Sequence, residues 1–201
     1  MATLRIDDFK SAFVGGGARA NLFRCRLYWP NAAIAGDADQ QYGAQNGELL
    51  QSFMIKSASL PGSTIQAVEV PFRGRTLKVS GDRTFDDYSV TVVNDNNFAV
   101  RSAFERWHDA ISGNVSNVSE RGLDSARFDT YTANIDVEQL GRDGKVIKAY
   151  KMIGAFPTTV DPIEVSYDSA DTIEEFGVTF AFQWWESDTV AQPTTGGFPT
   201  P

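Results

Sequence analysis

One stretch of this chain repeats its apolar residues at helical spacing, while most other patterned stretches alternate with a period of two. Within 97–112, Val100, Ala103, Phe104, Trp107 and Ile111 fall on one side of a helix, and Arg101, Glu105, Arg106 and Asp109 on the other. About seven β-rich runs surround that single helix, with no strand–helix–strand alternation and no internal repeat. This pattern excludes a parallel α/β fold. It predicts a mainly β chain: an antiparallel β-sandwich or barrel with one flanking α-helix.

The runs follow in order. Residues 5–14 read as a short helix stopped by Gly15–Gly17. Residues 20–29 alternate Phe23, Cys25, Leu27 and Trp29 against Leu22, Arg24, Arg26 and Tyr28, as a strand does. Residues 30–48 are small and polar and read as a long inserted loop, and 49–62 as a strand closed by Pro61-Gly62. Two β-rich runs around PFRGRT, within 61–83, read as a projecting arm. Residues 86–95 form a strand, and Asn94-Asp95-Asn96 at and just after its end offer helix caps. A loop spans 113–126, a hairpin turns at GRDG within 131–156, and 172–186 is the last strand. Residues 1–190 then make one domain, and 191–201 a flexible tail containing Pro and Gly.

That last strand contains GVTFAFQWWES, 177–187. Alternation puts Phe176, Val178, Phe180, Phe182 and Trp184 on the core face and Trp185 on the other, with Thr179, Ala181 and Gln183. The second face carries no charge before Glu186, which is too apolar for a solvated surface and predicts a cover at its Trp185 end.

Catalytic devices are hard to assemble from these residues. His108 is the sole histidine and Cys25 the sole cysteine, so no zinc ligand set or internal disulfide is available within one chain, and a Ser-His-Asp or Cys–His device would have to use His108, beside which no nucleophile motif occurs. Gly15-Gly16-Gly17 lacks the Lys-Ser/Thr of a phosphate loop. Asp86-Asp87 and Glu174-Glu175 are adjacent pairs that a strand points to opposite faces, so neither converges as an acid–base dyad. No calcium-loop spacing occurs. The expectation is a non-enzyme without cofactor or metal. The lone cysteine, the acidic residues in MATLRIDDFK and the lack of any run near ~18 apolar residues predict a cytoplasmic, unanchored protein. There the Asn-Val-Ser repeats at Asn114 and Asn117 read as polar loop.

The net charge of −8 and pI near 4.6 argue against a protein that grips nucleic acid, since phosphate contacts come from Lys and Arg. The charge is unevenly spread. From Lys151 onward there is one basic residue against eight acidic ones, including Asp161, Glu164 and Asp171. The arm from Pro71 to Arg83 carries Arg73, Arg75, Lys78 and Arg83 against Asp82 alone. One part of the molecule therefore complements another, as a heterologous self-contact requires.

Several separated stretches then match one family in its order: SASLPGSTI, VPFRGRTLKVSGDRTFDDYSVTVVNDNNFAVRSAFERW and VIKAYKMIGAFPTTVDPIEVSYDSADTIEEFGVTFAFQWWE. From about residue 5 to 186 the chain resembles the tail tube proteins of contractile-tailed bacteriophages. The departures are the 30–48 loop and the tail after 190. The resemblance implies homo-hexameric rings whose inner strands join into one continuous barrel, stacked into a conduit for genome delivery. It also implies sheath, baseplate, tape-measure and tail-terminator proteins as partners, and residence in the virion tail after assembly in the host cytoplasm. DNA would pass without specific binding through rings carrying about −48 charges in total. Arg73, Arg75 and Lys78 would meet Asp161, Glu164 and Asp171 of a neighbour, whose surface also covers Trp185. The inner tube of a type VI-like or other contractile injection machine is the alternative, and a carbohydrate-binding β-sandwich using Trp184 and Trp185 a third reading.

Overall fold

The structure, a computed structural model, describes residues 17–36, 54–113 and 130–188, together with Ile6. The expected 5–14 helix (apart from Ile6), the 30–48 loop beyond residue 36, the 113–126 loop beyond residue 113 and the 191–201 tail lie outside those residues.

The strands are β1 (Phe23–Leu27), β2 (Ile55–Ala58), β3 (Thr64–Phe72), β4 (Arg75–Thr84), β5 (Tyr88–Val93), β6 (Ala133–Leu140), β7 (Val146–Val160), β8 (Glu175–Ala181) and β9 (Trp184–Asp188). A short helix, α1 (Ala32–Ala35), follows β1, and α2 (Ala99–Ile111) follows β5. The fold is mainly β with one substantial helix, as the alternation predicts. β1, β6, β7, β8, β5 and β2 form a sheet in that order, β9 adds to β7, and every pairing is antiparallel. Among the described residues the path is open, with β1 and β2 at its ends. β3 and β4 form a separate two-stranded sheet.

β7 is the strand that lets one sheet enclose a core. Its first half pairs with β6 on one side and β9 on the other, and its second half pairs with β8. The change of partner coincides with a register shift, where Ala155 faces Ala133 but Met152 faces Ile135. Gly154 sits in that shift at φ 67°, a left-handed conformation that a Cβ would strain.

Register brings the apolar alternations together. Cys25 faces Val137 and Leu27 faces Ile135, while Tyr88, Val90 and Val92 face Phe180, Val178 and Phe176. All ten are buried, and α2 lays Val100, Phe104 and Trp107 over them. Trp107 is fully buried beside Trp29, Phe104 and Phe180, and its indole N–H donates to the Tyr131 carbonyl at 2.8 Å. The far side of α2 is not bare. Arg106 donates to the Ile34 and Ala35 carbonyls at the end of α1, and Arg101 reaches the Asp161 carbonyl.

Two expectations change. Asn94-Asp95-Asn96 does not cap α2: the N-cap is Phe98 at φ 54°, without a side-chain cap bond. Asn94 instead donates from its side chain to Glu174 at 2.9 Å, because β5 and β8 end side by side. The last expected strand is two strands. It breaks at Phe182-Gln183, where the Gln183 N–H bonds the Ile153 carbonyl, and β9 then pairs with the first half of β7. The break resets the alternation. Trp185 pairs with buried Met152 and packs on the core, whereas Trp184 is 45% exposed.

Candidate assembly surface

β3 and β4 are joined by Arg73-Gly74 at φ 45° and 81°, a two-residue turn with both residues left-handed. Glycine adopts the second angle at no steric cost. Phe72 and Arg75 then face each other, and the pairing runs down through Val70–Leu77, Glu69–Lys78 and Val68–Val79. Residues opposite one another share a face. Val68, Val70, Phe72, Leu77 and Val79 therefore line one face, and Ala67, Glu69, Pro71, Thr76, Lys78 and Ser80 the other. The first face is apolar and is not covered by other described residues: its five large side chains are 44–67% exposed. A two-stranded hairpin alone in water is marginal, and an exposed apolar stripe of this kind is a candidate contact surface.

The expected contact residues divide across this geometry. Arg75 lies on the apolar face beside Phe72, Lys78 on the polar face, and Arg73 in the turn over the Phe72 ring. Lys78 lies 3.7 Å from Glu69 of its own hairpin. The three cations thus do not converge on one side. Asp161, Glu164 and Asp171 belong to the exposed 161–174 segment, which also exposes Val165, Tyr167 and Ile173. Asp161 anchors that segment, its N–H bonding the Gly177 carbonyl at 2.9 Å and its own carbonyl accepting from Arg101. Trp185 has partners within its chain: the Gly62 carbonyl at 3.0 Å, the Tyr150 ring and the Arg83 guanidinium. Sequence reasoning placed the arm but missed its apolar face. The alternation Val68-x-Val70-x-Phe72 and Leu77-x-Val79 carries that signal, and attention to the basic residues obscured it.

The groups weighed for chemistry have structural surroundings. Cys25 is fully buried, with Sγ 3.9 Å from the Tyr88 hydroxyl, and burial pushes its thiol up to about 12 and the Tyr88 phenol upward as well. A thiol so placed is not a nucleophile. Burial lowers the His108 pKa, against a backbone hydrogen bond with Pro157 that raises it, and nearby Arg101 lowers it further. Glu174 accepts from Asn94, and Glu175 pairs with Lys56 across to β2. Burial raises the Asp136 pKa, offset by the Tyr28 hydroxyl donating at 2.9 Å and by Lys151 and Arg26. Among the described residues no three His, Cys, Asp or Glu side chains gather as a metal site, and no helix is long and apolar enough to cross a membrane.

Comparison with known proteins gives these features a context. The profile described as phage tail tube protein matches residues 18–188. The tail tube protein gp19 of Enterobacteria phage T4 is 31% identical over 183 residues, covering 90% of this chain and 99% of that protein. The tail tube protein of Serratia phage KSP90 is 26% identical, covering 88% and 92%. In fold, the chain is similar to a chain in the sheath–tube complex of an extracellular contractile injection system (TM-score 0.57, 13% identity, covering 90% and 97%). It is also similar to a chain in the sheath/tube terminator of such a system (TM-score 0.61, 12% identity, covering 88% and 99%). With its open antiparallel sheet, flanking helix and uncovered hairpin, and with that profile spanning most of its length, the chain belongs to the phage tail tube protein family.

Proposed function

We propose that the chain is the repeating unit of a hollow tail tube that carries a phage genome into its host. Copies close into six-membered rings, and the rings stack. The observation that carries this reading is the apolar face of the β3–β4 arm, which no other described residue covers. A second copy supplies the cover. The open ends of the sheet, β1 and β2, support lateral joining, because closing a sheet across subunits removes edges that would otherwise invite aggregation. The exposed 161–174 segment, with Val165, Tyr167 and Ile173 among Glu164, Asp168 and Asp171, offers apolar area bordered by negative charge. The arm tip offers apolar area bordered by Arg73 and Arg75. Contact between them buries the apolar surfaces and uses the charges to set register.

The acidic chain suits a lumen through which DNA slides without being held. Sheath, baseplate, tape-measure and terminator proteins are the partners expected of such a tube. Its place is the virion tail, after assembly in host cytoplasm. The sequence relatives are phage proteins, whereas the likeness to injection machines is one of fold, so a phage tail is the reading preferred over a secretion tube. A sugar platform on Trp184 and Trp185 is disfavoured, since Trp185 is already engaged by Gly62, Tyr150 and Arg83.

Negative-stain microscopy of the purified chain across a concentration series tests the proposal. Rings with six-fold end views, or tubes built from them, are expected. A chain that stays monomeric at every concentration and salt, and fails to add to preformed tail baseplates, would overturn it.

A further inference from the structure

Among the described residues the arm shares no strand with the main sheet, and it meets the body at its root. Both legs of that root meet β9. On the entering leg, the Gly62 carbonyl accepts from the Trp185 indole at 3.0 Å. On the returning leg, the Arg83 guanidinium lies 5.9 Å from both the Trp185 and Phe85 ring centroids, and Phe85 packs against Phe182 at 5.9 Å. Trp185 is held from below by its pairing with buried Met152 and by an edge contact with Tyr150 at 5.5 Å. One side chain thus reaches the core and both the entering and the returning strand of the arm.

We infer that Trp185 is a positioning residue: it clasps the two legs of the β3–β4 arm at their root and sets the arm's angle to the body, without itself touching a neighbouring subunit. An arm held at one angle loses less freedom on docking, so a rigid root favours assembly. This consequence for assembly rests on the tube reading above, while the clasp does not.

The test uses the soluble full-length chain with spin labels at Thr76→Cys on the arm and Arg142→Cys in the β6–β7 turn, both exposed. Cys25, fully buried, stays unlabelled. Distance distributions are measured by pulsed electron resonance, with unlabelled protein in excess. Trp185→Ala should broaden the distribution and raise the critical concentration for tube growth about tenfold, the factor given by losing one or two modest contacts. Trp185→Phe keeps a ring beside Tyr150 and Arg83 but loses the Gly62 bond, and should broaden it less. Trp184→Ala, on the exposed side, should change neither quantity. A distribution unmoved by both Trp185 variants in folded protein overturns the clasp. If tube growth were then lost as well, Trp185 would be a subunit contact instead. If the wild-type chain grows no tubes, the tube reading fails, and the distances still decide the clasp.

Discussion

Leu77 is the most direct probe of the arm. It lies at the centre of the apolar face opposite Val70 and is 62% exposed. Fully burying a leucine side chain is worth about 1.5–3 kcal/mol, so roughly 1–2 kcal/mol remains to be gained when a neighbour covers this one. Leu77→Ala forfeits much of that gain, and Leu77→Asp adds the cost of burying a charge. With a factor of ten for each ~1.4 kcal/mol, the critical concentration for tube growth should rise about tenfold for Ala and well beyond that for Asp. The free subunit should hardly notice, because exposed substitutions generally stay within about 0.5 kcal/mol. Lys78→Ala, on the opposite face and in an exposed 3.7 Å pair with Glu69, is the control and should change little. Sedimentation of tubes against total protein gives the critical concentration, and circular dichroism gives the melting temperature. Normal growth of the Leu77→Asp chain would remove the apolar face from the assembly. A melting temperature lowered by ten degrees would show instead that this face packs within its own subunit.

Other perturbations separate fold from assembly. Trp107→Ala should cost about 3–5 kcal/mol, since it opens a cavity beneath α2 and removes the indole hydrogen bond to the Tyr131 carbonyl. At about 2–4 °C per kcal/mol for a chain of this size, the melting point should fall by around 10 °C, and a shift within error would mean the helix face is wrongly assigned. His108 has a pKa lowered in the fold, so the unfolded chain takes up its proton first as pH falls below the ordinary histidine value. Stability should therefore decline on acidification from pH 7 through that range, and His108→Gln should flatten the decline in urea titrations at matched pH. Reversing Arg73 and Arg75 to Glu should shorten tubes while leaving the dichroism spectrum intact, with partial recovery on reversing Glu164 or Asp171. Tubes of normal length at low salt would show that charge does not set the register.

The features legible in the sequence were those with a local period. The α2 face from Val100 to Trp107 and the alternations feeding the core were readable because each residue's direction follows from its neighbours. The Trp184–Trp185 assignment was not, because a two-residue break exchanges β8's partners for the first half of β7, and no local pattern marks that long-range choice. The Asn94 cap failed similarly: Glu174, eighty residues away, competes for the amide. In the arm, composition announced charge while register determined which charges share a face. Arg75 and Lys78 are three apart in one strand and so point opposite ways.

The pairing of β1 with β6 also bears on how the chain comes into being. Residues 23–27 wait for partners at 135–139, so this ladder closes only after more than a hundred further residues have been added. At about 5–20 residues per second, synthesis alone imposes a delay of roughly 5–20 s. The arm has no such delay, because residue 64 pairs with residue 84. Short loops close in well under a millisecond, whereas long-range ladders form slowly. The arm's apolar side chains thus emerge on the ribosome, near enough in sequence to pair transiently, before the body that aims them exists. Two chains emerging from neighbouring ribosomes on one message can meet arm to arm before either can form a ring. If the proposed tube is what these chains build, wider spacing of ribosomes on the message should raise the yield of assembly-competent subunits.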